Sequence, residues 1–156
     1  MSLLNPLPVA RDVYRAEALP QSAAGYRRDT ITLGWEERSK TRARRVSDAG
    51  FEFGTVLPRG TLLRAGDCLI ADDSKTIITV MEREEAVLVV EPASQTESSV
   101  FAYHIGNSHQ PMMLHGTAIV CPDLPGVRQV LEYHRISFSQ ARRPFTPLGL
   151  VPDHRH

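Results

Sequence analysis

From about Thr30 to Val90, apolar residues come in short runs separated by turn residues, the pattern of a small all-β unit. Ile31, Leu33 and Trp35 alternate and predict one half-buried strand, because successive side chains in a strand point to opposite faces. Arg38, Lys40, Arg42 and Arg44 repeat with the same period of two, which predicts a row of cations on one face of the next strand. Pro58 with Gly60, Gly66 with Asp67, and Asp72-Asp73-Ser74 then punctuate runs at Thr61–Leu63, Cys68–Ile70 and Thr76–Val80. Gly, Pro and Asp supply the backbone angles and local hydrogen bonds of tight turns, so a β-barrel or small sandwich follows.

The pattern changes at Val87–Val90, a β-branched run suited to a buried strand. Ser94 and Glu97 have capping-box spacing, in which a serine oxygen and a glutamate side chain satisfy free amides at a helix start. Val100, Phe101, His104 and Ile105 fall on one stripe of that helix, and Gly106-Asn107 is its expected stop. Pro111–Leu114 and Thr117–Cys121 read as two strands joined at His115-Gly116. Asp123 is placed to cap a second helix, with Pro125 in its first turn and Val127, Val130, Leu131 and His134 on one face. Ile136–Ser139 closes the pattern as a strand.

This order, strand, helix, strand, strand, helix, strand, is the split βαβ arrangement of ferredoxin-like domains. The expected fold class is therefore α+β: an N-terminal all-β barrel or sandwich domain over residues 1–86, then a ferredoxin-like βαββαβ domain over 87–146. Residues 147–156 read as a flexible tail carrying His154 and His156.

Composition narrows the function less than the fold. At 156 residues, 42% hydrophobic and 23% charged, the chain has room for one domain or two small ones. Lysine plus arginine balances aspartate plus glutamate at 18 each, so any electrostatic role must be local. The basic residues Arg38, Lys40, Arg42, Arg44 and Arg45 fit a solvated face or a dock for an acidic partner. Aromatic residues are not interleaved with them, which argues against nucleic acid. No apolar run approaches the roughly 20 residues that span a bilayer, and the N-terminus lacks a signal-peptide pattern, so a cytoplasmic protein without a membrane partner is expected. Cys68 and Cys121 stand apart and suggest buried thiols rather than a zinc or disulfide framework. No nucleophile paired with a base and no phosphate-cradling glycine loop is visible, so an enzyme is not expected. Asp72 and Asp73 read as turn formers.

The stretch LGWEERSKTRARR at residues 33–45, then LPRG at 57–60, Gly66-Asp67 and Asp72-Asp73, resembles the N-terminal domain of the urease accessory metallochaperone family UreE. YHIGNSH at 103–109, Pro111, and RPFTP at 143–147 are similar to the C-terminal domain of the same family. The resemblance runs from about Thr30 to Gly149, and its strength lies in the order and spacing of the pieces.

The resemblance implies a homodimer whose C-terminal domains meet at a two-fold axis, with one histidine from each protomer binding nickel between them. In this sequence that histidine is His109. It also implies a nickel carrier that delivers Ni(II) during urease assembly, with a urease accessory GTPase and the urease activation complex as partners. Two departures stand out: Ser108 occupies the place of the family's usual arginine, and Cys121-Pro122-Asp123 stands where some members carry further histidines.

Imidazole binds nickel, copper and zinc alike, with copper favoured by affinity, so zinc and copper are expected to bind in vitro. A single imidazole per chain holds a metal weakly; two-fold pairing of His109 doubles the donor count. His109 follows a helix end, whose partial negative charge favours a cation by about 0.3–1 kcal/mol. His154 and His156 form an H-x-H pair that either completes the coordination or is simply a polar end. His104 and His134 sit on apolar stripes, and His115 in a turn; all three are expected to be packed or structural. The alternative function is a protein-interaction module in which the β domain binds extended segments and metal is incidental.

Overall fold

A computed structural model of the chain describes residues 5–150, which fall in two compact units, Met1–Glu82 and Arg83–His156. The first unit is a two-sheet sandwich. Strands β1 (Val9–Ala10), β2 (Val13–Tyr14), β3 (Arg27–Leu33), β4 (Arg42–Val46), β5 (Glu52–Val56), β6 (Cys68–Ala71) and β7 (Thr76–Glu82) form a three-stranded sheet, β1-β5-β4, and a four-stranded sheet, β2-β6-β7-β3. Both sheets contribute to one core, where Ala10 and Phe53 from the first meet Ile31, Leu33, Leu69, Ile78 and Val80 from the second. Removing these aliphatic and aromatic surfaces from water is the principal stabilising term.

Two local expectations fail here. Residues 61–63 form no strand; Leu63 is fully buried from an irregular loop. Trp35 does not extend β3 but opens a five-residue helix, α1 (Trp35–Ser39), with Glu36 and Glu37 in its first turn, where acidic side chains complement the exposed amides. The cationic row is broken as a result. Arg38 lies on α1, not on a strand, and is fully buried, donating from Nη1 to the Leu63 carbonyl at 3.2 Å and pairing with Glu82 at 3.2 Å. Arg45 is also buried, donating to Thr55 Oγ1, the Glu37 carbonyl and the Lys40 carbonyl at 3.0, 3.2 and 2.7 Å. Desolvation pulls its pKa below the usual guanidinium value. Lys40, Arg42 and Arg44 remain exposed.

The second unit follows the order β8 (Glu85–Val90), α2 (Gln95–Asn107), β9 (Met113–His115), β10 (Ala118–Pro122), α3 (Pro125–Tyr133) and β11 (Ser139–Arg143). Its sheet order is β11-β8-β10-β9, with every neighbouring pair antiparallel. That is the ferredoxin-like topology, so the chain is α+β with an all-β unit followed by a βαββαβ unit. Val90 and Leu88 of β8, Ile119 and Cys121 of β10, Ile105 of α2, and Val127 and Leu131 of α3 make its core. The last strand begins at Ser139, later than Ile136–Ser139 suggested, because Ile136 is used to pack the end of α3.

The start of α2 is set as its sequence indicates: Ser94 Oγ accepts from the Glu97 amide at 3.1 Å. At α3 the cap differs. Leu124 occupies the cap position without a side-chain bond, and Asp123 instead accepts two hydrogen bonds from Arg128, at 2.7 and 2.8 Å. A bidentate guanidinium reached from one turn into the helix satisfies the carboxylate more fully than a single amide would.

Candidate metal-binding surface

Helix α2 ends at Asn107, at the expected Gly106-Asn107 stop, with Ser108 as its cap. His109 follows with φ of 56°, in the left-handed region. Its amide donates to the Gly106 carbonyl at 3.0 Å, and the Gln110 amide reaches back to the Ile105 carbonyl at 3.2 Å. These two bonds are the pattern of a Schellman motif, in which the left-handed residue just past the helix is usually glycine. His109 thus stands where the fold asks for a residue without a Cβ, at a steric cost of about 1–2 kcal/mol. Histidine bears this better than most residues, being among the types enriched with asparagine and aspartate at positive φ.

Helix α3 ends in the same way. His134 is its terminal cap, Arg135 has φ of 56°, and the Arg135 and Ile136 amides donate to the Glu132 and Leu131 carbonyls at 3.1 and 2.8 Å. There the motif is reinforced by the apolar contact it commonly carries, since Leu131 and Ile136 are buried in one cluster. At α2 the corresponding pair is Ile105 and the polar Gln110.

The consequence for chemistry is that the His109 imidazole is presented to solvent at the carbonyl end of a 13-residue helix. Its ring makes no hydrogen bond to protein among the described residues, so both nitrogens are available as donors or ligands. The helix end adds partial negative charge favourable to a cation. Among the described residues, no three His, Cys, Asp or Glu side chains come together in a way that could hold a metal ion. Cys121 supplies no thiolate: it is buried, and desolvation pushes its thiol pKa up to about 12. Cys68 is buried beside the Gly66 carbonyl and Thr79.

His154 and His156 lie outside the described residues. His115 is exposed at the end of β9. His104 and His134, expected to be packed, are instead only partly buried and stack on each other with ring centroids 3.9 Å apart and planes 16° from parallel. No periodicity could have revealed this pairing, since the two residues stand on different helices. The exposed Lys40, Arg42 and Arg44 are what remains of the basic row; Arg44 is partly spoken for by Glu52 at 3.5 Å.

A β-sandwich unit followed by a ferredoxin-like unit with an exposed imidazole at a helix end defines the class: a two-domain α+β protein. The sequence comparisons give the family. The family description "UreE urease accessory protein, N-terminal domain" matches residues 14–82, and its C-terminal counterpart matches residues 85–156. The urease accessory protein UreE of Burkholderia thailandensis is 36% identical over 121 residues, covering 78% of this chain and 56% of the relative. That of Methylibium petroleiphilum is 33% identical over 151 residues, covering 94% of this chain and 66% of the relative. That of Cupriavidus pinatubonensis is 38% identical over 117 residues, covering 75% and 52%. The chain belongs to the UreE family of urease accessory proteins. It spans about half to two thirds of the length of these relatives. No helix among the described residues is long and apolar enough to cross a membrane.

Proposed function

We propose that this protein is a nickel carrier that delivers Ni(II) during assembly of the urease active site, working as a homodimer in the cytoplasm without catalysing a reaction itself. The observation that carries this reading is His109: an exposed imidazole with no protein partner among the described residues, at a left-handed backbone position just past a helix terminus. A polar residue kept in a strained conformation with no structural partner is the kind of feature that function maintains.

One imidazole from each of two copies, meeting at a two-fold axis, supplies two ligands and leaves further positions open. Open positions let a recipient enter before the donor leaves, which a closed four-ligand site would prevent. His154 and His156 are further ligands in this reading, closing over the ion from the chain end. Lys40, Arg42 and Arg44 are the residues proposed to meet an acidic surface of the urease accessory GTPase or of the urease activation complex. Arg38 and Arg45 support that face from within rather than taking part in it.

Calorimetric titration of the full chain with nickel should give one tight ion per two chains. In His109→Ala the tight phase should vanish, with the fold unchanged by circular dichroism. An identical titration for that variant would remove the proposal. Zinc and copper should compete in the same experiment, copper most strongly.

A further inference from the structure

The stacked pair of His104 and His134 has no role in the carrier site built on His109, and it does not have the properties of a packing contact. A histidine buried for structure hydrogen bonds through at least one ring nitrogen. Neither of these rings bonds to protein among the described residues, and both are partly open to solvent. His104 lies in the last turn of α2 and His134 caps the end of α3, so two helix termini bring their partial negative charge to the same place. The exposed rings of Tyr103 and Tyr133 stand edge-on to their neighbouring imidazoles, at 5.4 and 4.9 Å.

We propose that His104 and His134 form a second transition-metal site within a single chain, taking a divalent ion that prefers imidazole, such as nickel or copper. The site does not depend on the His109 reading: it needs no second copy of the chain and no tail residue. Metal–imidazole bonds are about 2.0–2.1 Å long. Rings whose centroids are 3.9 Å apart can therefore share one ion after rotating out of the stack, a motion that breaks no hydrogen bond to protein. Among the described residues no third His, Cys, Asp or Glu side chain is grouped with the pair, so water completes the coordination and the ion exchanges readily. Such a site suits transient loading of cargo rather than permanent retention.

The test is equilibrium dialysis of the full chain against nickel, and separately copper, at pH 7.5. The variants are His104→Gln, His134→Gln, His109→Ala, and the doubly substituted His154→Ala/His156→Ala. The expected result is a weaker ion, one per chain, whose affinity falls at least tenfold in either glutamine variant and is retained in His109→Ala and in the tail variant. Copper electron paramagnetic resonance should show two coupled nitrogens at this ion in the His109→Ala protein, reduced to one by adding His134→Gln. In the unsubstituted protein, copper added beyond one ion per two chains should broaden the imidazole resonances of His104 and His134 together, which guards against a variant that fails to fold. The proposal is overturned if the weaker ion is absent, if it disappears with the tail histidines, or if neither of the two resonances broadens. Loss of the tight ion alone in His109→Ala would bear on the carrier reading and leave this one standing.

Discussion

Replacing His109 by glycine should make the metal-free protein more stable while destroying its tight metal site. The left-handed backbone at φ 56° costs a residue with a Cβ about 1–2 kcal/mol, and glycine relieves it. Against this, glycine gives the unfolded chain more freedom, worth about 0.5–1 kcal/mol. The middles of the two ranges leave a net gain of about 0.75 kcal/mol. For a unit the size of Arg83–His156, 1 kcal/mol moves the melting midpoint by roughly 4–8 °C, so a rise of about 3–6 °C is expected. Alanine keeps the Cβ without the histidine's greater tolerance of positive φ, and His109→Ala should lose about 0.5 kcal/mol. Arg135 sits at the equivalent position of α3 with the same φ, so Arg135→Gly should gain a similar amount while leaving metal binding intact. The assay is thermal unfolding by circular dichroism in chelator, paired with nickel calorimetry. If His109→Gly melts no higher than His109→Ala, the imidazole is not held in a strained backbone and the functional reading of that strain collapses.

Three further outcomes follow from the packing. Arg38→Ala should destabilise the N-terminal unit by about 1–3 kcal/mol in urea unfolding, because it removes a fully buried guanidinium from the Leu63 carbonyl and leaves Glu82 only the partly exposed Arg64 at 3.4 Å, whereas Arg42→Ala should change stability by less than about 0.5 kcal/mol. Equal effects of the two substitutions would contradict the buried placement of Arg38. Hydrogen bonds from Arg128 hold the Asp123 pKa below the usual carboxylate value. A depressed folded-state pKa adds stability that is present above the unfolded value, about 3.9, and is lost as pH falls through the lower folded value. Carboxyl NMR titration should accordingly show Asp123 rising in Arg128→Ala, and that variant should lose less stability on acidification. The Cys121 thiol, raised to about 12 by burial, should resist a thiol reagent at pH 8 in the native protein and react once urea unfolds it; rapid native labelling would refute its burial.

The sequence by itself determined the features that short stretches of chain encode. Turn residues around Gly60, Gly66 and Asp72 marked the β unit, the Ser94–Glu97 pair set the start of α2, and Pro125 sat at the start of α3. Those signals act within a turn or two of helix or a few residues of strand, so they survive without knowledge of the fold, and their order already implied βαββαβ. Gly106-Asn107 marked the end of α2, but not that the left-handed turn beyond it falls on His109, a geometry that depends on bonds back into the helix. What only tertiary structure decided was which side chains share a place. Period-two spacing could not show that Arg38 turns inward from a short helix while Arg42 and Arg44 stay in water, because that depends on the Leu63 carbonyl and on Glu82. Nor could it show that His104 meets His134. Contacts between residues distant in sequence arise from how packed elements are brought together to bury apolar surface, a quantity summed over the whole unit and written in no local pattern.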